Sequence, residues 1–475
     1  MKTLRIFSCL GVVLLLAGSL KAQSGTSALP AGLPPLGPLH GIVSPKIDKF
    51  QLANGMQIWL VRRPLFPKVA FTLLLRGGDS QDPVALPGLA QLMAQVATKG
   101  TTTRSASKIA DAAQLAGGTL AASADVDSVR LEIDSLSDDA SAVVALLGDV
   151  SQHATFPEDE LASAKASAKN QLLGKEGQPH FLAERALLGT FYSGSPYRIV
   201  SPSLATLQNA AGDDLKTLYR QTFRPDRALL IAVGQFEPAE MLAQIRKNFN
   251  AWKASGPPVP LAGEPQPRAD HTVYIVERPR SVQTTMLIAA PAPTLHDPDE
   301  PLLQLANTIY GSGFGSRLMK NIREDKGYSY HPGSGIETFR WGAIVQTHED
   351  VRNAVTGASL EQTLLELNGM AAHPPSAQEL LNGKRQLLGG VAVALHSRTK
   401  LADMLGAFWV QQEPADFLDA QMATVQKATI ADVQRVSAKY LAADKMTVVA
   451  VGEKSVIQDQ LKSSGMKIED APNFR

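Results

Sequence analysis

Cysteine is almost absent from this 475-residue chain, and the single one, Cys9, lies in a segment expected to be removed. Residues 1–22 carry a basic start (Lys2, Arg5), an apolar run from Ile6 to Leu20, and small residues near Ala22. That is the pattern of a secretory signal peptide. Cys9 comes too early in the run to serve as a lipidated anchor. Cleavage leaves a mature chain without cysteine, which excludes disulfides and thiol chemistry. Export without disulfides suits a bacterial periplasm, the expected location.

A charge of one sign is also lacking: 46 basic residues stand against 45 acidic ones. No global field draws the chain to nucleic acid or to anionic lipid. Past the signal segment no apolar run is long enough to span a bilayer, so no stable membrane anchor is expected. No Ser/His/Asp set can be justified. Gly311-Ser312-Gly313-Phe314-Gly315 lacks the Gly-Lys-Ser/Thr of a phosphate loop and reads as a turn between helices. His348-Glu349-Asp350 has no second histidine four residues away and reads as a surface turn. His331 beside Tyr330 reads as non-catalytic. His180 and Glu184, one helical turn apart, have no third group to complete a site.

What the chain does contain is one unit written twice. Residues 23–46 are rich in Gly, Pro and Ser and read as a tether, and a similar stretch at 251–270 reads as a linker. They delimit two halves, 47–250 and 271–475. Met56-Gln-Ile-Trp-Leu-Val-Arg-Arg-Pro64 parallels Thr272-Val-Tyr-Ile-Val-Glu-Arg-Pro279, an offset of 215 (279 − 64). Asp226 to Gly234 parallels Asp444 to Gly452, an offset of 218 (452 − 234). A nearly constant offset points to internal duplication. Val129 to Ile133 alternates as a half-buried strand, Asp139 to Val150 is apolar at helical spacing, and Ala228 to Val233 is a buried strand. The expected class is α+β, with helices covering one face of a mainly antiparallel sheet in each half.

The chemistry lies in Gly88-Leu-Ala-Gln91-Leu-Met-Ala94-Gln95-Val-Ala-Thr-Lys-Gly100-Thr101. This stretch resembles the zinc helix of the insulinase/pitrilysin/mitochondrial processing peptidase family. Active members of that family read His-x-x-Glu-His between the same Gly-Leu-Ala and Lys-Gly-Thr flanks. Here Gln91 and Gln95 stand at the histidine positions and Ala94 at the general-base position. A neutral amide is a poor zinc ligand, and alanine accepts no proton. The family's third ligand, a glutamate on a later helix, falls on Gln171, 76 residues past Gln95 (171 − 95). Glu160, Lys165 and Ala168 keep that helix's frame, while a supporting glutamate position has become Ala164.

A second block, Ser316-Arg317-Leu-Met-Lys-Asn-Ile-Arg323-Glu324-Asp-Lys-Gly327-Tyr328-Ser-Tyr330, resembles the family's Ser-Arg-Leu-x-x-x-Leu-Arg-Glu-x-x-Gly-x-x-Tyr. In active members this arginine and tyrosine reach the site from the half opposite the zinc and hold the substrate carbonyl and its developing oxyanion. Arg323 and Tyr330 match both type and spacing, and both are hydrogen-bond donors suited to that task. Arg317 is the less suitable arginine.

The resemblance implies two peptidase-like domains forming half of a clam-shaped chamber. It further implies a chain inactive alone and without its own metal, joined to a homologous partner that carries His-x-x-Glu-His and zinc. The expected function is the zinc-less subunit of a periplasmic heterodimer acting on peptides, with Arg323 and Tyr330 supplied in trans. The alternatives are a non-enzymatic scaffold or peptide-binding protein of the same descent, and a self-sufficient peptidase with relocated ligands.

Overall fold

The structure is a computed structural model that describes residues 37–258, 263, 265 and 267–472. The expected signal peptide, most of the 23–46 tether and part of the 251–270 linker lie outside the described residues. From Gly41 onward the chain belongs to one packed unit.

Two six-stranded sheets organise it. The first contains β1 (Asp48–Gln51), β2 (Gln57–Arg62), β3 (Lys68–Arg76), β4 (Ala121–Ala124), β5 (Ser128–Leu136) and β6 (Ala228–Gly234), in the order β1-β2-β6-β3-β5-β4. The second contains β7 (Thr272–Glu277), β8 (Gln283–Pro291), β9 (Gly333–Thr338), β10 (Ala343–Arg352), β11 (Thr447–Gly452) and β12 (Lys467–Asp470), in the order β12-β7-β11-β8-β10-β9. The repeat seen in the sequence is visible here. In each half the last central strand pairs parallel with the first and antiparallel with the second: β6 with β2 and β3, and β11 with β7 and β8. The halves differ at one edge. The first sheet is extended by the β1–β2 antiparallel pair, the second by β12 parallel to β7.

The apolar runs show why both faces must be covered. Every residue of β6 and β11 is buried, a pattern of strands with no wet side. Helices Leu89–Ala97, Ala140–His153, Gly212–Thr222 and Pro238–Phe249 share a core with the odd-numbered residues Val69, Phe71, Leu73 and Leu75 of β3. The other face is covered by the opposite half. Helix Arg398–Val410 packs on β3 and β6, and Gly406 lies so close that a Cβ there would sit 2.5 Å from Leu74 Cδ1. In exchange, helix Pro179–Phe191 packs on β8 and β11, burying Ala183, Leu187 and Phe191 against Leu287, Val449 and Val451. The expectation of helices on one face is therefore incomplete: a helix from the other half covers the second face.

A buried polar tie also joins the halves. Asp127 accepts from the Tyr197 hydroxyl at 2.7 Å and, across the junction, from the Arg340 amide at 2.8 Å. Burial, then the Asp127 charge and hydrogen bond, push the Tyr197 phenol above its usual range. It stays a donor at every ordinary pH.

Candidate functional site

The helix Leu89–Ala97, which resembles the family's zinc helix, is built as the sequence suggests. Gly88, at φ 83°, takes a left-handed turn beside Pro202 that a side chain would not tolerate. Asp82 then caps the helix, accepting from the Gly88 amide at 2.6 Å and the Ala90 amide at 2.9 Å. Leu89, Ala90, Leu92, Met93, Ala94, Val96 and Ala97 are buried. Gln91 and Gln95 remain half-buried, four residues apart on one face.

Gln91 has acquired a partner. Its Nε2 donates to Asp79 Oδ2 at 2.7 Å. Asp79 is 1% exposed, and burial, followed by the neighbouring Asp82 charge, raises its carboxyl well above the usual range. The pair is an amide bound to a buried carboxyl, not a set of imidazole donors. Gln171 sits on helix Glu158–Glu176, which packs against the Leu89–Ala97 helix. Its side chain is exposed and donates to Ser167 Oγ one turn back at 3.3 Å. Ala94, fully buried, holds no proton acceptor. These residues do not fit zinc. Among the described residues no group of three or more His, Cys, Asp or Glu side chains is placed to hold a metal.

The Arg/Tyr block is well formed. Residues Met319–Asp325 make a wide π-helical turn, with the Lys326 amide bonded to the Asn321 carbonyl at 3.0 Å. Such turns are rare and concentrate at functional sites. Gly327, at φ 64°, reverses the chain and brings Tyr330 back over Arg323. The Arg323 guanidinium carbon lies 4.6 Å from the Tyr330 ring centre and 5.4 Å from that of Phe314. Its Nη1 also contacts Met319 Sδ at 3.9 Å. The two rings are 81% and 71% exposed, so the stack faces solvent. Stacking fixes the cation on its faces and leaves edge N–H groups for a ligand. Phe314 comes from the Gly311–Gly315 turn, which connects helical segments as expected.

The other candidates separate cleanly. Arg317 holds Glu379 in two contacts of 2.8 and 3.2 Å and the His373 carbonyl at 2.9 Å. Despite partial burial, that pairing and the Ser376 bonds take the Glu379 carboxyl down to about 2. It is a structural pair. His348-Glu349-Asp350 is not a surface turn but part of β10. Glu349 is 1% exposed, bonded by Ser359 and Thr363, and burial pushes its carboxyl up to about 7. The surface-turn expectation is corrected: the alternation of β10 carries Glu349 inward. His331 is exposed, with its ring centre 6.0 Å from that of His348. His180 and Glu184 begin the Pro179–Phe191 helix, and Glu184 faces a cavity.

Comparison with known proteins adds a separate line. Residues 58–200, which include the helix Leu89–Ala97, match the family model "Insulinase (Peptidase family M16)", and residues 210–387 match "Peptidase M16 inactive domain". The chain belongs to the M16 peptidase family. Among the relatives of this M16 chain, the uncharacterized zinc protease YmxG of Bacillus subtilis is 25% identical over 364 residues, covering 74% of this chain and 85% of that one. The uncharacterized zinc protease SCO5738 of Streptomyces coelicolor is 23% identical over 408 residues, 83% of this chain and 88% of that one. The crystal structure of a peptidase M16 inactive domain from Pseudomonas fluorescens superimposes with a TM-score of 0.80 at 25% identity, over 86% of this chain and 98% of that one. A Helicobacter pylori protease shares the fold, with a TM-score of 0.81 at 17% identity over 86% and 100% of the two chains. The description "inactive domain" applies to residues 210–387, whereas Gln91, Ala94, Gln95 and Gln171 lie in the residues 58–200 matched by the other model. This M16 chain thus resembles zinc proteases, with Gln91, Gln95 and Gln171 at the positions that the resemblance assigns to zinc ligands.

Sequence reasoning did not find Asp79 as the partner of Gln91, Phe314 as the second face of the arginine stack, or the Asp127 tie. Asp79 lies twelve positions before Gln91 in a 3₁₀ turn, and no periodicity links them. Phe314 carried a weak signal, a single aromatic in a glycine-rich turn.

Proposed function

We propose that this chain is the zinc-less subunit of a heterodimeric M16 peptidase exported to the periplasm. A homologous partner carries zinc and His-x-x-Glu-His. This chain contributes half of the chamber and presents Arg323 and Tyr330 to the substrate carbonyl. The observation that carries the reading is the contrast between the two half-sites. Gln91, Ala94, Gln95 and Gln171 offer neither metal ligand nor base, whereas Arg323 and Tyr330 are stacked, oriented and solvent-facing. A guanidinium and a phenolic hydroxyl so placed donate to the oxygen on which negative charge develops. Peptides are the substrate class.

Arg323→Ala and Tyr330→Phe in the reconstituted pair test it. Arg323→Ala is expected to lower turnover by about 10²–10³-fold, the effect of one lost oxyanion donor. Assembly, read by size-exclusion chromatography, stays intact. Unchanged turnover in both variants overturns the role. The second reading, a scaffold or peptide-binding protein, draws support from the same empty zinc frame and requires turnover to be indifferent to both residues.

A further inference from the structure

Arg323 is held without a carboxylate. Among the described residues it forms no ion pair, and its one polar contact is the 3.9 Å approach of Nη1 to Met319 Sδ. Arg317, on the same segment, shows the alternative. Glu379 takes its Nε and Nη2 and the His373 carbonyl takes its Nη1, so its donors are spent. An arginine that donates to a substrate oxygen cannot be fixed in that way. Arg323 is fixed by rings instead, with Tyr330 at 4.6 Å and Phe314 at 5.4 Å from its guanidinium carbon. A ring face attracts the cation and leaves the N–H groups at its edge free.

Phe314 is built for that support. Its ring is exposed, yet the turn that carries it is tied down on both sides. The Ser312 amide donates to the Asn307 carbonyl at 3.1 Å, Gln386 Nε2 donates to the Ser312 carbonyl, and the Ser316 amide donates to the Gly313 carbonyl at 3.2 Å. Gly313, at φ 95°, allows the bend, and a Cβ there would meet Gln386 Nε2 at 2.6 Å. A large apolar side chain is thus kept in solvent on a fixed backbone, against the one cation that needs a face to rest on. Unlike Tyr330, it has no polar atom to offer a substrate. We propose that Phe314 is a positioning residue. Its ring holds the Arg323 guanidinium in place before substrate arrives, so part of the arginine's rotamer freedom is already lost. The role rests on the reading in which Arg323 donates to the substrate carbonyl.

Steady-state kinetics of the reconstituted pair on one quenched fluorogenic peptide test it. Phe314→Ala and Phe314→Leu are each expected to lower kcat by about 2–5-fold with little change in KM, the effect of losing one exposed cation–π contact to a group that acts in the transition state. Phe314→Trp, which keeps a π face, retains most of the rate. Leucine, apolar but without such a face, does not. In an Arg323→Ala background Phe314→Ala is expected to add no further loss, because its effect runs through the arginine. A Phe314→Leu variant as fast as wild type, a Phe314→Ala loss that persists in full without Arg323, or an effect confined to KM would overturn the inference. Arg323→Ala separates the two levels. If it slows turnover while Phe314→Ala does not, the positioning role falls and the donor role stands; if it leaves turnover unchanged, both fall.

Discussion

At the scale of single residues, positions fixed by their neighbours in the chain differ from contacts made between segments. Gln91, Ala94, Gln95 and Gln171 are assigned by the resemblance of their flanking residues to the family's frame. The Asp79–Gln91 hydrogen bond was not legible, because it is a contact between segments with no shared period. Glu349 shows the same limit: an acid between histidine and aspartate reads as polar surface, yet two hydroxyls satisfy it inside the second half. It also has a thermodynamic consequence. Its folded-state pKa, about 7, lies above the unfolded value of 4.5. The folded state therefore binds the extra proton, and stability falls as pH rises from the unfolded pKa through the folded one. The loss amounts to about 3 kcal/mol across that window. Glu349→Gln is expected to flatten this part of the stability profile, measured by urea unfolding between pH 4.5 and 8.

At the scale of elements, strands were the most readable and their environments the least. The alternation of β5 and the apolar runs of β6 and β11 located them. That a helix from the opposite half covers their second face could not be read, because an apolar run does not name what it packs against. The zinc-family helix was readable in full, including its glycine entry. Its cap rests on Asp82, whose carboxyl is pushed up to about 7 by burial even while three backbone amides stabilise it. Asp82→Ala is expected to cost about 1–2 kcal/mol of stability through the lost cap. Asp82→Asn should recover most of it, since the cap needs an acceptor oxygen rather than a charge. Thermal unfolding of the two variants checks this, and equal losses would contradict the capping role.

At the scale of the whole molecule, the duplication appeared in the sequence as a repeated offset and in the structure as two sheets with the same central order. What joins the halves was not legible, because it depends on Asp127 reaching Tyr197, 70 positions away in its own half, and the Arg340 backbone, 213 positions away in the other. Asp127→Ala leaves two buried donors unpaired and is expected to destabilise the chain by about 2–6 kcal/mol, at about 1–3 per group. Tyr197→Phe should cost less than Asp127→Ala in the same denaturant titration. The central claim, a frame that has given up zinc and kept the opposite half-site, is tested most directly by one peptidase assay. A quenched fluorogenic peptide is offered to the mature chain, to a homologous His-x-x-Glu-His subunit, and to their mixture, each with and without chelator. Chelator-sensitive cleavage by the mixture, well above the sum of the separate subunits, is the predicted result. Chelator-sensitive cleavage by this chain alone, or a mixture no faster than the partner by itself, would contradict it.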